Sequence, residues 1–297
     1  MYGSAMNSPR ELDLTDLPRA PLLVGVEHAA IEVDGAVVHC AIAGEGRPVV
    51  LLHGWPQHWW AWREIVQPLV DRGYRVICPD VRGLGWSDAG DGEFTLARLA
   101  TDLVCLLDVL EIERAYLVGH DWGAAIGYSA CLRWPERFAA FTPIGGLTPW
   151  SSAGAPARLW LRPWHILALG AAGRRLTRPI AANSLRAWRH VGAFTTAETA
   201  SYLDCIASPK GAWATERYYR NVALREIPRF VRHHPTMHLR VPTLHLNGAR
   251  DPLTRGVPDS YRRYARDMRL RLLPDCGHFI AEEAPELLLR QIDSFFA

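Results

Sequence analysis

The sequence predicts an α/β fold with a mostly parallel central sheet, helices on both faces and an inserted helical lid. Short apolar runs rich in β-branched residues alternate with segments of helical periodicity, which is typical of a parallel sheet covered on both faces. The alternation stops between about 148 and 235, over a stretch rich in Trp, Arg and Ala. With 297 residues the chain is long enough for one large domain that carries such an insertion.

Seven runs are predicted to be strands because each is short, apolar and bounded by turn residues. They are residues 36–44, 48–54, 74–80, 115–121, 138–146, 241–248 and 270–278. Between the third and fourth runs, leucines recur at the spacing of an amphipathic helix. They are Leu96, Leu99, Leu103, Leu106, Leu107 and Leu110. An Ala-rich stretch directly after residue 121 predicts a second helix.

The same alternation divides the chain into four parts. Residues 1–25 are predicted to be an N-terminal extension; they contain acids and prolines and no apolar core of a secretory signal, so a cytoplasmic location is expected. Residues 26–147 and 236–297 form the two parts of the core. Residues 148–235 are too long for a loop and carry no strand-like run, so they are interpreted as a lid. The lid begins just past the carboxyl end of a strand, at the edge where open α/β sheets bind ligands.

Charge and composition argue against nucleic acid as a partner and leave other partners open. The formal charge is +2, although residues 148–225 carry eleven Lys and Arg against three Asp and Glu. A solvated basic face and attraction of anionic substrates or membrane surfaces are both open readings of this segment. No recognition helix or zinc spacing accompanies the charge, so nucleic acid is not expected as a partner. The six cysteines form no C-x-x-C pair and are predicted to be reduced core residues, and neither a metal nor a cofactor is expected.

The stretch "LVGHDWGAAI" (117–126) has the form of the sharp strand-to-helix turn on which many hydrolases mount a serine. Gly119 and Gly123 keep the spacing of that turn, but Asp121 occupies the serine position. A carboxylate needs no base to activate it, because its ordinary pKa of about 3.9 leaves it ionised at neutral pH. Attack on a saturated carbon gives an ester that water can cleave, whereas attack on an acyl carbon gives a reactive anhydride. The substitution therefore predicts alkyl rather than acyl chemistry.

Cleavage of such an ester requires a base that activates water and donors that hold an oxyanion. His278 follows the last predicted strand and is the best-placed base, with Asp251, after the preceding strand, as the carboxylate that orients it. The backbone N–H groups of Trp55 and Trp122 are predicted to form the oxyanion hole. His53 and the loop "DVRGLGWSD" (80–88) are assigned structural hydrogen bonding.

These residues lie in six short motifs. The motifs are "HGWP" (53–56), "DVRGLGWSD", "GHDWGA" (119–124), "YYRN" (218–221), "NGARD" (247–251) and "GHFIAEEAPE" (277–286). Together they resemble the motifs of the epoxide hydrolases of the α/β-hydrolase fold. The resemblance runs from about residue 28 to the end and weakens within the lid. It implies that an epoxide is opened to a vicinal diol through an ester on Asp121. The density of Trp and Leu around the lid predicts that this epoxide is largely apolar.

An opening epoxide develops a basic alkoxide, which a nearby acid should protonate. The resemblance places Tyr219, immediately before Arg220, at the position of one of the family's two lid tyrosines. His165 follows Trp164 where a Trp-Tyr pair is expected, so a His/Tyr pair is predicted. Tyr218 or another lid residue is the alternative partner.

Three other functions are weighed against epoxide hydrolysis. A haloalkane or haloacid dehalogenase uses the same nucleophile, and the indole of Trp122 would hold halide. However, similar haloalkane dehalogenases commonly carry Asn at the position of Trp55. Similar fluoroacetate dehalogenases carry Arg at the position of Trp122. An esterase and a binding protein on an inactive hydrolase fold are the remaining classes, the latter disfavoured because the three catalytic positions are filled. The physiological substrate is not readable from the sequence, and a homodimer is left open.

Overall fold

One sheet of eight strands runs through the part of the chain that the structure describes. The structure is a computed structural model, and it describes residues 19–146, 148–150, 164–190, 192–226, 237–252 and 259–297. The strands are β1 (Glu27–Val33), β2 (Ala36–Ala43), β3 (Arg47–Leu52), β4 (Tyr74–Pro79), β5 (Ala115–His120), β6 (Phe138–Ile144), β7 (Thr243–Gly248) and β8 (Met268–Leu273). Their order across the sheet is β1-β2-β4-β3-β5-β6-β7-β8.

Most neighbours in this sheet are parallel, as the sequence predicts. Among the described strands, only the β1·β2 and β2·β4 pairs are antiparallel, and the six strands from β3 to β8 all point the same way. The carboxyl ends of these six strands therefore meet at one edge, where ligands bind in sheets of this kind. β5 lies beside β3 in the middle of the sheet, so the turns that follow these two strands are neighbours.

Helices cover both faces. On one face α2 (Leu96–Val109) and α3 (Trp122–Arg133) bury their apolar sides, and Thr95 caps α2 by accepting the N–H of Arg98. On the other face lie α1 (Arg63–Val70) and the C-terminal helix. The leucine spacing seen in the sequence is thus the core-facing stripe of α2.

The regular elements that the structure describes between β6 and β7 are all helices. It contains α4 (Trp164–Ala187), α5 (Thr196–Ile206), α6 (Pro209–Arg217) and a π-helix (Tyr218–Glu226). Residues 151–163, 191 and 227–235 of the predicted lid, like residues 1–18 of the predicted extension, lie outside the described residues. The chain ends with the short helix α7 (Ile280–Glu283) and with α8 (Pro285–Phe296).

The helical segment packs onto the loops that follow β3 and β4. The indole of Trp55 donates a hydrogen bond to the Thr215 hydroxyl of α6 at 3.2 Å. Lys210, at the start of α6, donates to the carbonyl oxygens of Gly85 (3.1 Å) and Ser87 (2.6 Å). These contacts hold the segment over the carboxyl edge of the sheet. Among the described residues, no helix is both long and apolar enough to cross a membrane.

Two elements differ from the sequence prediction. The strand expected over 270–278 is β8 (Met268–Leu273), and it ends before Asp275, whose φ of 55° turns the chain. The edge strand β1 is absent from the prediction because acidic residues and a histidine interrupt its apolar side chains. Its signal was the "DG" turn that joins β1 to β2, where Asp34 (φ 44°) and Gly35 (φ 76°) are both left-handed.

Candidate active site

Asp121 stands on a strained turn between β5 and α3. Its φ of 51° and ψ of −111° lie in a region that residues with a side chain rarely adopt, and such strain concentrates at functional sites. The turn packs so closely that larger residues do not fit beside it. A Cβ on Gly123 would lie 2.3 Å from the Leu52 carbonyl oxygen, and one on Gly119 would lie 2.5 Å from that of Gly123. This packing explains the two glycines that flank Asp121.

The Asp121 carboxylate faces backbone donors. Its Oδ2 accepts the N–H of Trp55 at 3.0 Å, and the backbone N–H of Trp122 also hydrogen-bonds to it. Burial raises the pKa of Asp121, while these N–H groups and His278 act in the opposite direction. The loop of Trp55 can approach only because Gly54 has no side chain; a Cβ there would lie 2.4 Å from that of Asp121. The peptide bond between Trp55 and Pro56 is cis.

His278 and Asp251 form a buried hydrogen-bonded pair beside Asp121. Nδ1 of His278 lies 3.0 Å from Oδ2 of Asp251, and Nε2 lies 3.9 Å from Oδ1 of Asp121. Both members of the pair have fully buried side chains. Because a carboxylate only accepts, Nδ1 carries the proton of the neutral imidazole, which leaves the lone pair on Nε2, the nitrogen nearer to Asp121. Burial lowers the pKa of His278, but the Asp251 and Asp121 carboxylates outweigh it, so that the pKa is raised.

Tyr219 lies over this group from the π-helix. Its ring packs edge-on against the rings of Trp55 and Trp122, each at a centroid distance of 5.5 Å. The side chain of Trp122 hydrogen-bonds to the Tyr219 hydroxyl. Burial, together with the nearby Asp121 carboxylate, raises the pKa of Tyr219 well above its ordinary value, so the hydroxyl stays protonated at neutral pH.

The neighbouring Tyr218 points elsewhere. Its hydroxyl donates to the carbonyl oxygen of Arg82 at 2.9 Å, and its ring packs against Phe94. Successive residues of a helix point in different directions, and here only the second tyrosine faces Asp121. The Tyr218 alternative is thus disfavoured, since its hydroxyl already anchors the π-helix to the core.

His165 approaches the same group from α4. It is 7% exposed, and its ring centroid lies 6.1 Å from that of Tyr219 and 5.1 Å from that of Trp188. Burial, with a smaller effect from His278, lowers the pKa of His165 to about 4. The imidazole is therefore neutral at pH 7 and retains one N–H donor.

Two residues that the sequence analysis left without a role support His278. The carbonyl oxygen of Trp188, just after α4, accepts the His278 backbone N–H at 2.9 Å, and the two rings pack at 5.4 Å. Nε2 of His120 lies 3.0 Å from the His278 carbonyl oxygen. His120 directly precedes Asp121 in the sequence, but nothing in the sequence distinguishes Trp188 from the other tryptophans of residues 148–235.

The residues assigned structural roles hold the adjacent loops. Nε2 of His53 accepts the Val81 N–H at 3.0 Å, and Nδ1 lies 3.0 Å from the Gly54 carbonyl oxygen. The buried Asp80 carboxylate accepts the N–H groups of Trp59 (2.8 Å) and Trp86 (2.9 Å). In the described part of the chain, no cluster of three or more His, Cys, Asp or Glu side chains is arranged to hold a metal ion.

The comparisons with known proteins agree with this architecture. A family model described as alpha/beta hydrolase fold matches residues 47–168. "Epoxide hydrolase 3" of Siraitia grosvenorii is 44% identical over 121 residues, which span 40% of this chain and 38% of that relative. "Soluble epoxide hydrolase" of Corynebacterium sp. (strain C12) is 28% identical over 290 residues, covering 92% of this chain and 98% of the relative.

A solved structure extends the likeness over the whole fold. The crystal structure of an epoxide hydrolase from Vigna radiata has 25% identity and a TM-score of 0.79, and the match covers 92% of this chain and 98% of that one. The three relatives from Siraitia grosvenorii, by contrast, are matched over only 38–42% of their length. On the sheet topology and these matches, the chain has the α/β-hydrolase fold, and relatives named epoxide hydrolase are among those that it resembles.

Proposed function

We propose that the protein is an epoxide hydrolase that converts an apolar epoxide to a vicinal diol through an ester on Asp121. The observation that carries this proposal is the Asp121 carboxylate, which lies on a strained turn between the Trp55 N–H and the His278 imidazole. A serine hydroxyl there would need the histidine as its base, whereas a carboxylate attacks directly and leaves His278 for the second step.

In the first step, a carboxylate oxygen of Asp121 attacks one epoxide carbon. The carbon–oxygen bond of the ring breaks, and its electron pair stays on the epoxide oxygen. That oxygen takes the proton of Tyr219, with His165 as a second hydrogen-bond donor. The raised pKa of Tyr219 makes it a weak acid in the resting enzyme, but the developing alkoxide is far more basic than a phenolate.

In the second step, Nε2 of His278 removes a proton from water, and the hydroxide attacks the carboxyl carbon of the ester. The resulting oxyanion accepts the N–H groups of Trp55 and Trp122. The intermediate then breaks its bond to the alkyl oxygen, and this oxygen takes the proton of the added hydroxyl, which gives the diol and regenerates the Asp121 carboxylate. The proton held by His278 returns to Tyr219 through solvent, which closes the cycle without a cofactor.

Residues 148–235 act as a lid in this proposal, since Tyr219 and His165 both come from that segment. The aromatic rings of Trp55, Trp122 and Tyr219 beside the nucleophile favour an apolar small-molecule substrate. The Trp122 side chain hydrogen-bonds to Tyr219, and this arrangement suits protonation of an alkoxide better than capture of a halide. Dehalogenation is therefore the second candidate.

Product analysis separates the two functions. We expect purified protein to release diol from apolar aliphatic and aromatic epoxides and little halide from matched alkyl halides. Release of halide with no diol from any epoxide would reverse the assignment. With a turned-over epoxide, His278→Gln should accumulate protein whose intact mass is increased by that of the substrate, and the double variant with Asp121→Ala should not.

A further inference from the structure

The Glu283 carboxylate holds the backbone on both sides of His278. Its Oε2 accepts the N–H of Gly277 at 2.6 Å, and its Oε1 accepts that of Phe279 at 3.0 Å. These are the residues immediately before and after the histidine. Oε2 also accepts the N–H of His190 at 3.1 Å, in the stretch that follows α4. One carboxylate thus joins three backbone donors from two separate parts of the chain.

The path of the chain at this point depends on Gly277. A Cβ on Gly277 would lie 2.5 Å from the Trp188 carbonyl oxygen, 2.7 Å from the His190 nitrogen and 2.8 Å from Glu283 Oε1. Two of these three atoms belong to the backbone, which cannot move away as a side chain does. Any side chain at 277 would therefore separate the loop of His278 from the groups that hold it.

We propose that Glu283 is a positioning residue for His278. Its carboxylate holds the peptide groups on both sides of the histidine and ties them to the end of α4, and this fixes the imidazole against Asp121. The proposal rests on the role of His278 as the base of the second step. Hydrogen bonds to a carboxylate are about twice as strong as those between neutral groups. Asp251 orients the ring through Nδ1, whereas Glu283 places the backbone from which the ring projects.

The charge of Glu283 also acts on the histidine. The titratable groups that face the imidazole are Asp121, Asp251 and Glu283, which raise its pKa, and the imidazoles of His120 and His165. Burial lowers the pKa of both neighbouring imidazoles, so they are neutral at pH 7. Removal of the Glu283 charge should therefore lower the pKa of His278.

The test compares Glu283→Gln with Glu286→Gln, which removes the same charge from a side chain that is 90% exposed and lies three residues further along. Ester formation and ester decay are followed separately by rapid quenching and intact mass. In Glu283→Gln we expect formation within about twofold of the wild-type rate, and decay slowed by about ten- to a hundredfold. The pH midpoint of the decay should also fall. Glu286→Gln should match the wild type in both steps.

Decay is measured per molecule of ester, so protein that fails to fold does not enter the comparison. Gly277→Ala, measured in parallel, should slow decay without removing a charge. Wild-type decay rates in both Glu283→Gln and Gly277→Ala would overturn the proposal. The proposal would also be overturned if ester formation and ester decay slowed by the same factor in Glu283→Gln, because equal slowing indicates a general structural role.

A second readout needs no substrate. The imidazole resonances of His278, assigned by their absence in His278→Gln, should titrate at lower pH in Glu283→Gln than in the wild type. An unchanged titration would contradict the proposal whatever the catalytic result. If the wild type forms no ester on Asp121, the proposed function fails, while the titration still shows whether Glu283 acts on the histidine.

Discussion

Replacement of Tyr219 by Phe removes one hydroxyl from the group over Asp121 and leaves the buried ring in place. Tyr219 is 4% exposed, and its ring packs edge-on between the rings of Trp55 and Trp122. The variant should keep this packing, because the ring contacts do not involve the hydroxyl. The loss should therefore fall on the hydrogen bond to the opening epoxide oxygen.

The size of the effect follows from the charge that develops on that oxygen. A hydrogen bond to a charged group contributes about 1.5–3 kcal/mol. At about 1.4 kcal/mol per factor of ten, ester formation should slow by about ten- to 150-fold. The Trp122 side chain also loses its partner, but that loss is present before and during the reaction. It should lower the free energy of unfolding rather than raise the barrier.

Tyr218→Phe is the matched control, since it removes the same atom from the preceding residue. The Tyr218 hydroxyl donates to the Arg82 carbonyl oxygen at 2.9 Å and does not face Asp121. This variant should lose about 1 kcal/mol of stability and keep the rate of ester formation. Rapid-quench mass analysis gives that rate, and thermal unfolding gives the stability. Equal slowing in both variants would refute the assigned role, as would equal slowing of Tyr219→Phe on an epoxide and on an alkyl halide.

Three further predictions concern the residues around this group. His165→Phe should slow ester formation by about tenfold and leave ester decay unchanged, if the neutral imidazole donates to the epoxide oxygen; an unaffected formation rate would remove His165 from the site. Ester decay should rise with pH as His278 loses its proton. Esterification of Asp121 removes one carboxylate that raises the pKa of His278, so the midpoint of decay should lie below the titration of His278 in the free enzyme, as measured by NMR. Gly54→Ala should abolish ester formation and destabilise the fold by about 1–3 kcal/mol, because its Cβ would lie 2.4 Å from that of Asp121. A normal rate of ester formation would show that the loop of Trp55 does not pack so closely against Asp121.

The central strands and the turn that carries Asp121 could be predicted because short, local sequence patterns encode them. The apolar runs are short and buried on both faces, and the G-x-D-x-G spacing is imposed by the contact of Gly123 with the backbone after β3. β1 was not predicted, because charged residues interrupt its apolar side chains. The Asp34-Gly35 sequence that follows it is nevertheless typical of a hairpin turn.

The contacts that hold His278 could not be predicted in the same way. The backbone of Trp188 bonds to His278, and that of His190 bonds to Glu283, 93 residues further along the chain. No local pattern encodes these contacts, because Trp188 and His190 take part through backbone atoms that carry no residue identity. The side chains of Tyr218 and Tyr219 also have different partners, and the orientation of the π-helix on the core decides which partners they have. Two adjacent tyrosines in a sequence do not reveal that orientation.

A single turnover in heavy-oxygen water tests most directly whether the reaction passes through an ester on Asp121. With enzyme in excess over epoxide, water should attack the carboxyl carbon, so the label should enter the peptide that contains Asp121 and the first diol should be unlabelled. Mass analysis of that peptide and of the diol gives both quantities from one sample. Label in the diol of the first turnover, with none in Asp121, would show direct attack of water on the epoxide and would contradict the covalent route.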